Sequence, residues 1–127
     1  MGESITFARR VFLAAGIYGI AVLLPQYFME DRIASDFPPA ITHPEHYYGF
    51  IGVALAWQVL FLIVAGDPIR YRAAMIPSIL EKVSFGVACV LLFMKGRLSS
   101  MILGFGVLDL IIGAFFVASY RITPKRG

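Results

Sequence analysis

Residues 43–72 read HPEHYYGFIGVALAWQVLFLIVAGDPIRYR. A polar, histidine-bearing approach leads into Tyr47 and Tyr48. A mostly apolar run of about nineteen residues follows, until Asp67-Pro68 stops it and Arg70 and Arg72 close the stretch. At a rise of about 1.5 Å per residue, such a run crosses a hydrocarbon layer of about 30 Å. Aromatic residues at one end and arginines at the other mark the two interfaces. The stretch predicts a membrane-crossing helix over 48–65.

Working outward, three more runs of the same kind appear, over 7–29, 76–94 and 101–120. The 7–29 run opens on Ala8-Arg9-Arg10-Val11-Phe12-Leu13, which resembles a twin-arginine export signal. No A-x-A cleavage site follows, so a retained first span is the expectation. Residues 30–47 form the longest polar segment, and Pro38, Pro39 and Pro44 are expected to keep most of it irregular. Pro77 falls in the first turn of the third run, where it is tolerated. Lys95-Gly96-Arg97 reads as a tight turn.

Composition agrees. Of 127 residues, 59% are hydrophobic and 15% charged, against about a quarter charged in an ordinary soluble domain. Mean hydropathy is +0.79. The net charge of +3 comes from basic residues that flank the apolar runs. It therefore reads as topology rather than as a nucleic-acid surface. With the N-terminus cytoplasmic, that side carries Arg9, Arg10, Arg70, Arg72, Arg121, Lys125 and Arg126, and the other carries Arg32, Lys95 and Arg97. Seven against three predicts both termini in the cytoplasm. The short second and third connections predict antiparallel neighbours. The expected fold is all-α: a single 1–127 domain forming an up-down-up-down four-helix transmembrane bundle, multi-pass in the cell membrane, as in a bacterial inner membrane. Long unalternating runs without heptads exclude a β-barrel and a coiled coil.

Few residues in these runs can carry chemistry. Asp109 lies near the middle of the fourth run, where an ionised carboxylate costs at least about 2.5 kcal/mol. Gly106 and Gly113 share its helical face and allow another helix close. Asp109 either serves a ligand or a proton, or pairs with Lys82 or a hydroxyl and joins two helices. In the third run Ser78, Glu81, Ser84 and Ala88 share a face, predicting a polar stripe turned inward. Lys82, about 100° away, either snorkels or reaches Asp109. Glu81 is expected to pair with Arg70 or Arg72 of the second connection. Tyr18, Gln58 and Asp109 fall within about one turn of the same depth, and Trp57 is beside them. They either line one mid-membrane pocket or make hydrogen bonds between helices without a cavity.

His43-Pro44-Glu45-His46 offers three zinc-type ligands. Histidines three apart across a proline lack the i, i+4 geometry of HExxH and no fourth ligand is evident, so an interfacial cap and no metal are expected. The same two histidines sit at one depth and do not suit a haem held between helices. The single Cys89 excludes an intrachain disulfide. No phosphate loop, nucleotide fingerprint or Ser-His-Asp set appears.

With these residues placed, the layout resembles the DoxX-like group of small four-helix membrane proteins. The likeness covers most of the chain. Its carriers are the glycine-rich second run entered at Tyr48-Gly49-Phe50, the basic connection Asp67-Pro68-Ile69-Arg70-Tyr71-Arg72, the charged pair Glu81-Lys82 and the acid Asp109. The resemblance implies association with membrane redox complexes or quinone-linked chemistry, or handling of a lipophilic ligand. Small multidrug transporters share the size but carry an essential acid in the first span, and 7–29 has none before its end.

With no catalytic set, the expected function is an accessory subunit of a membrane complex or a binder of a lipophilic ligand. No cofactor motif is evident, and quinone or lipid is the ligand class left open. Expected partners are membrane lipids with other membrane subunits or a second copy, and no nucleic acid. The alternative is a proton-coupled small-molecule transporter or a quinone-linked oxidoreductase component working through Asp109.

Overall fold

A computed structural model describes residues 2–126; the chain ends Met1 and Gly127, whose side of the membrane was part of the expectation, lie outside them. Five α-helices run in order: α1 (Gly2–Leu23), α2 (Glu30–Asp36), α3 (Pro44–Gly66), α4 (Met75–Met94) and α5 (Ser100–Ile122). No strand occurs among the described residues. The four long helices are each long and apolar enough to cross a membrane.

The boundaries follow from local chemistry. Pro25 has no N–H to continue α1, and the chain tightens into a 3-10 turn over Leu24–Phe28. There Gln26 Nε2 donates to the Val22 carbonyl at 3.1 Å, covering one of the acceptors left at the helix end. Pro44 occupies the first turn of α3 behind His43 as N-cap, so the helix starts four residues before the expected 48. The 30–47 segment is correspondingly less irregular than its prolines suggested, since α2 forms before Pro38 and α3 begins at Pro44. Gly96 ends α4 at φ +70°. Its N–H donates to Phe93 O at 2.9 Å and that of Arg97 to Leu92 O at 2.9 Å, a Schellman closure. Ser99 caps α5 by accepting from Ile102 N at 3.3 Å.

The long helices pack as two hairpins. α1 lies along α3 and α4 along α5; α1 also meets α5, whereas α3 and α4 barely touch. Small residues set both hairpins. A Cβ on Gly16 would stand 2.7 Å from Leu62 Cδ2 and 3.0 Å from Gln58 O. One on Gly86 would meet the Leu110 side chain and come within 2.9 Å of Gly106 O. The two hairpins meet in an aromatic core. Phe12 and Phe116 stack at 4.1 Å and Phe61 stands edge-on at 5.0 Å from Phe116, all three fully buried.

Side-chain latches close each end. At one, Arg9 Nε donates to Ala65 O (3.1 Å), and Arg72 Nε donates to Thr123 O (2.8 Å) while lying 3.9 Å over the Tyr120 ring. This end gathers the start of α1, the end of α3, the start of α4 and the end of α5. At the other, Tyr47 Oη donates to Gln26 O (2.5 Å) and Tyr48 Oη to Glu30 (2.9 Å). Large apolar side chains such as Ile17, Val53, Leu80, Leu91 and Met101 point outward from every long helix. Such a surface suits a surrounding medium as apolar as the interior, in keeping with four helices long and apolar enough to cross a membrane.

Candidate functional site

Three charged side chains meet in the apolar section of the fold. Lys82 Nζ lies 3.5 Å from Asp109 Oδ1 and 3.6 Å from Glu81 Oε2, and 5.2 Å over the Phe61 ring. The Lys82 side chain is 4% exposed. Its stem packs against Gly113, where an added Cβ would be in ordinary contact with Lys82 Cβ at 3.4 Å. The tight approach is at Gly106, two turns along, where an added Cβ would overlap the Cys89 side chain. The glycine face flanking Asp109 thus admits α4, and the aspartate reaches the one cation that α4 turns inward. An ammonium so enclosed needs its counter-charges, because a lone buried ion is far more costly than a paired one. With all three ionised the cluster carries two negative charges and one positive.

The inward face of α4 is Met75, Ser78, Lys82, Gly86 and Cys89. The expected inward stripe is corrected here, since Ser84 and Ala88 are exposed and only Ser78 of that stripe is fully buried. Close approach of α5 favours the small residues Gly86 and Cys89 over the hydroxyl at Ser84, whose Oγ donates to the Glu81 carbonyl instead (3.1 Å). The Glu81–arginine pairing is also corrected. Arg72 is held by Thr123 and Tyr120, and Arg70 lies over Tyr71 at 5.4 Å with its N–H on Asp67 Oδ1 at 3.2 Å. Both arginines hold the connection to itself or to the end of α5, and Glu81 turns to its neighbour Lys82.

Tyr18, Trp57, Gln58 and Asp109 share a depth but not a pocket. Gln58 is 1% exposed and packs against Gly19 of α1, with Nε2 donating to Ala54 O at 2.8 Å and Oε1 unpartnered. Tyr18 lines a groove of about 930 Å³ between α1 and α5, with Arg10, Val11, Leu108 and Phe115. Trp57 lines a second groove, between α3 and α4. Asp109 lines neither groove. A shared depth fixes only one cylindrical coordinate; the helix faces separate the four.

The α3/α4 groove, about 670 Å³, is the one that reaches the charged cluster. Phe50, Val53, Ala54, Trp57 and Phe85 form its walls, Glu45 and His46 lie at the α3 start, and Glu81 and Ser84 add polar atoms deeper in. It exists because α3 and α4 diverge; Phe50 and Phe85 stack across it with centroids 6.3 Å apart. Gly49 leaves open space there, since a methyl group on its Cα would have no atom within 4 Å. Sequence reasoning did not single out this lining. Its signal was the spacing of His46, Phe50, Val53 and Trp57, one face of a helix at steps of three and four.

At the mouth of this groove His43, Glu45 and His46 converge. His43 Nδ1 stands 3.1 Å from Glu45 Oε1, the two imidazoles stack at 5.1 Å, and one ligand atom from each of the three lies within 4.8 Å of the others. The i, i+4 criterion applies inside a helix, whereas His43 is the N-cap and His46 the third helical residue. The N-cap and the third helical residue are near each other at a helix start, although His43 makes no side-chain cap hydrogen bond here.

Against known protein families, curated proteins and solved structures, the chain matches none.

Proposed function

We propose that this chain is a multi-pass membrane protein that binds a lipophilic ligand in the α3/α4 groove. The observation that carries the reading is the groove itself: apolar and aromatic walls along α3 and α4, with one carboxylate, Glu81, at its inner side. Such a site takes an acyl or isoprenoid chain along its walls and satisfies one polar group at Glu81 or Ser84. Its lateral opening lets the ligand arrive from within the bilayer. Positive-inside asymmetry puts the latch end formed by Arg9 and Arg72, and with it both termini, in the cytoplasm of a bacterial-type inner membrane. The DoxX-like layout is consistent with lipophilic-ligand handling.

The transporter or oxidoreductase reading through Asp109 has less support. Its Oδ1 faces Lys82, and it lines neither groove. The accessory-subunit reading draws on the α1/α5 groove, where Ala14 and Ala15 leave room for a helix or a lipid from outside.

Native mass spectrometry of the purified chain tests the reading. The expected result is a lipid or quinone bound one to one, lost on Gly49→Leu, which extends a side chain into the groove from a position where a Cβ has open space around it. Retention of the same ligand by Gly49→Leu would remove the α3/α4 groove as its site. Retention in that variant but loss when Ala14→Trp blocks the α1/α5 groove would transfer the site there.

A further inference from the structure

We infer that His43, Glu45 and His46 form a binding site for one divalent transition-metal ion of the zinc class at the start of α3. Two imidazoles and a carboxylate are a ligand set that zinc accepts, and neutral nitrogen with carboxylate oxygen suits it better than calcium or magnesium. The spacing agrees with the chemistry. Ligands about 2.0–2.2 Å from a tetrahedral zinc stand about 3.3–3.6 Å from one another. Here His43 Nδ1 and Glu45 Oε1 are a hydrogen-bonded pair at 3.1 Å, a bond the ion would replace, and all three ligand atoms lie within 4.8 Å. The His46 ring is already stacked on that of His43 at 5.1 Å. A rotation of one exposed ring about its own bonds brings the second nitrogen into the same sphere.

The fold supplies the preorganisation. Pro44 fixes the backbone between the two histidines as the first helical residue, so the N-cap and third-residue side chains are held face to face. All three residues come from four consecutive positions, and the chain need not close a loop to form the site. The positive pole of the α3 N-terminus opposes a cation, and the Glu45 carboxylate, in the first turn, offsets that field. The three side chains are exposed, which leaves the fourth coordination position to water. Glu45 and His46 also line the mouth of the α3/α4 groove, so a bound ion would stand at its opening. The ion site does not depend on any ligand occupying that groove.

The test uses the full chain without a histidine tag, in detergent. Titration calorimetry with Zn²⁺ is expected to give one ion per chain with a dissociation constant below about 100 µM. Co²⁺ is expected to give the visible absorption of a tetrahedral site. His43→Ala and His46→Ala should each weaken binding at least about tenfold and Glu45→Gln measurably, with helicity by circular dichroism unchanged because all three side chains are exposed. Glu30→Gln, an acid at the same end held by Tyr48, should leave binding as it is. Weaker binding by the parent chain, equal binding by the double histidine variant, or one ion shared between two chains would each overturn the site.

Discussion

The two hairpins solve the same packing problem with opposite chemistry. In both, glycines let two apolar helices approach, and in both a polar side chain lies at the crossing. Between α1 and α3 that side chain is the neutral Gln58, resting on Gly19. Between α4 and α5 it is a charged set, Lys82 with Asp109 and Glu81. The neutral contact can be rearranged piecemeal, because an amide that loses a partner remains an uncharged group. The charged one hinges on Lys82, the single positive charge shared by two carboxylates, since its removal leaves both of them uncompensated. The hairpin that looks better glued is thereby the more brittle.

The largest expected effect tests that brittleness. Lys82→Ala strands Asp109 and Glu81 together in an apolar section, and should cost about 3–5 kcal/mol of stability, measured by reversible unfolding in mixed micelles. Replacing the set together, as Glu81→Gln, Lys82→Met and Asp109→Leu, should recover most of that loss. If the single and triple variants are equally destabilised, the cluster does not hinge on the charge of Lys82 and the contrast between hairpins fails.

Glycine substitutions come next and should split the hairpins again. Gly86→Ala sets a Cβ against the Leu110 side chain and 2.9 Å from Gly106 O, backbone that can yield only by moving a helix, and should cost about 1–3 kcal/mol. Gly19→Ala meets the Gln58 side chain from its amide to Cγ, so that one side chain must change rotamer while no backbone atom is displaced. Its cost should stay below about 1 kcal/mol. Equal costs at the two positions would mean that the α1/α3 contact is as rigid as its counterpart.

How much of this was legible depends on what a sequence can say about direction. The apolar runs and the turn at Gly96 could be read because length and local chain geometry decide them, whereas Pro44 starts α3 at a place where it was expected to keep the chain irregular. The face of α5 could be read as well: Gly106 and Gly113 mark where a neighbour must come close, and Asp109 lies between them. The inward face of α4 could not be found from polarity. Its outer residues Leu80, Val83, Val87 and Leu91 are more apolar than the inner Ser78, Lys82 and Gly86, while Ser84 is exposed among them, so a polar stripe carries no sign of in or out. Residue size was the better guide, since Gly86 and Cys89 share the face of Lys82. Partner choice escaped for a different reason. Arg70 and Arg72 are near Glu81 in sequence, but Arg72 finds a carbonyl and an aromatic ring at the end of α5, a contact across 51 residues.

The smallest expected effect is the most informative about the candidate pocket. Gln58 is almost wholly buried, yet its Oε1 has no partner, and its Nε2 donates only to Ala54 O, a carbonyl of its own helix. An interhelical hydrogen bond would be worth about 0.6 kcal/mol in an apolar surrounding, and Gln58 makes none to α1. Gln58→Met keeps a long, unbranched side chain in the space beside Gly19 while removing a buried acceptor that nothing satisfies. The expected change in stability is therefore within about 0.5 kcal/mol of zero, with stabilisation the favoured sign. Because Gln58 lines neither groove, one-to-one ligand retention in native mass spectra should be unchanged. Loss of the ligand without loss of stability would return Gln58 to the binding site and place the ligand between α1 and α3, in the hairpin that otherwise has only packing to do.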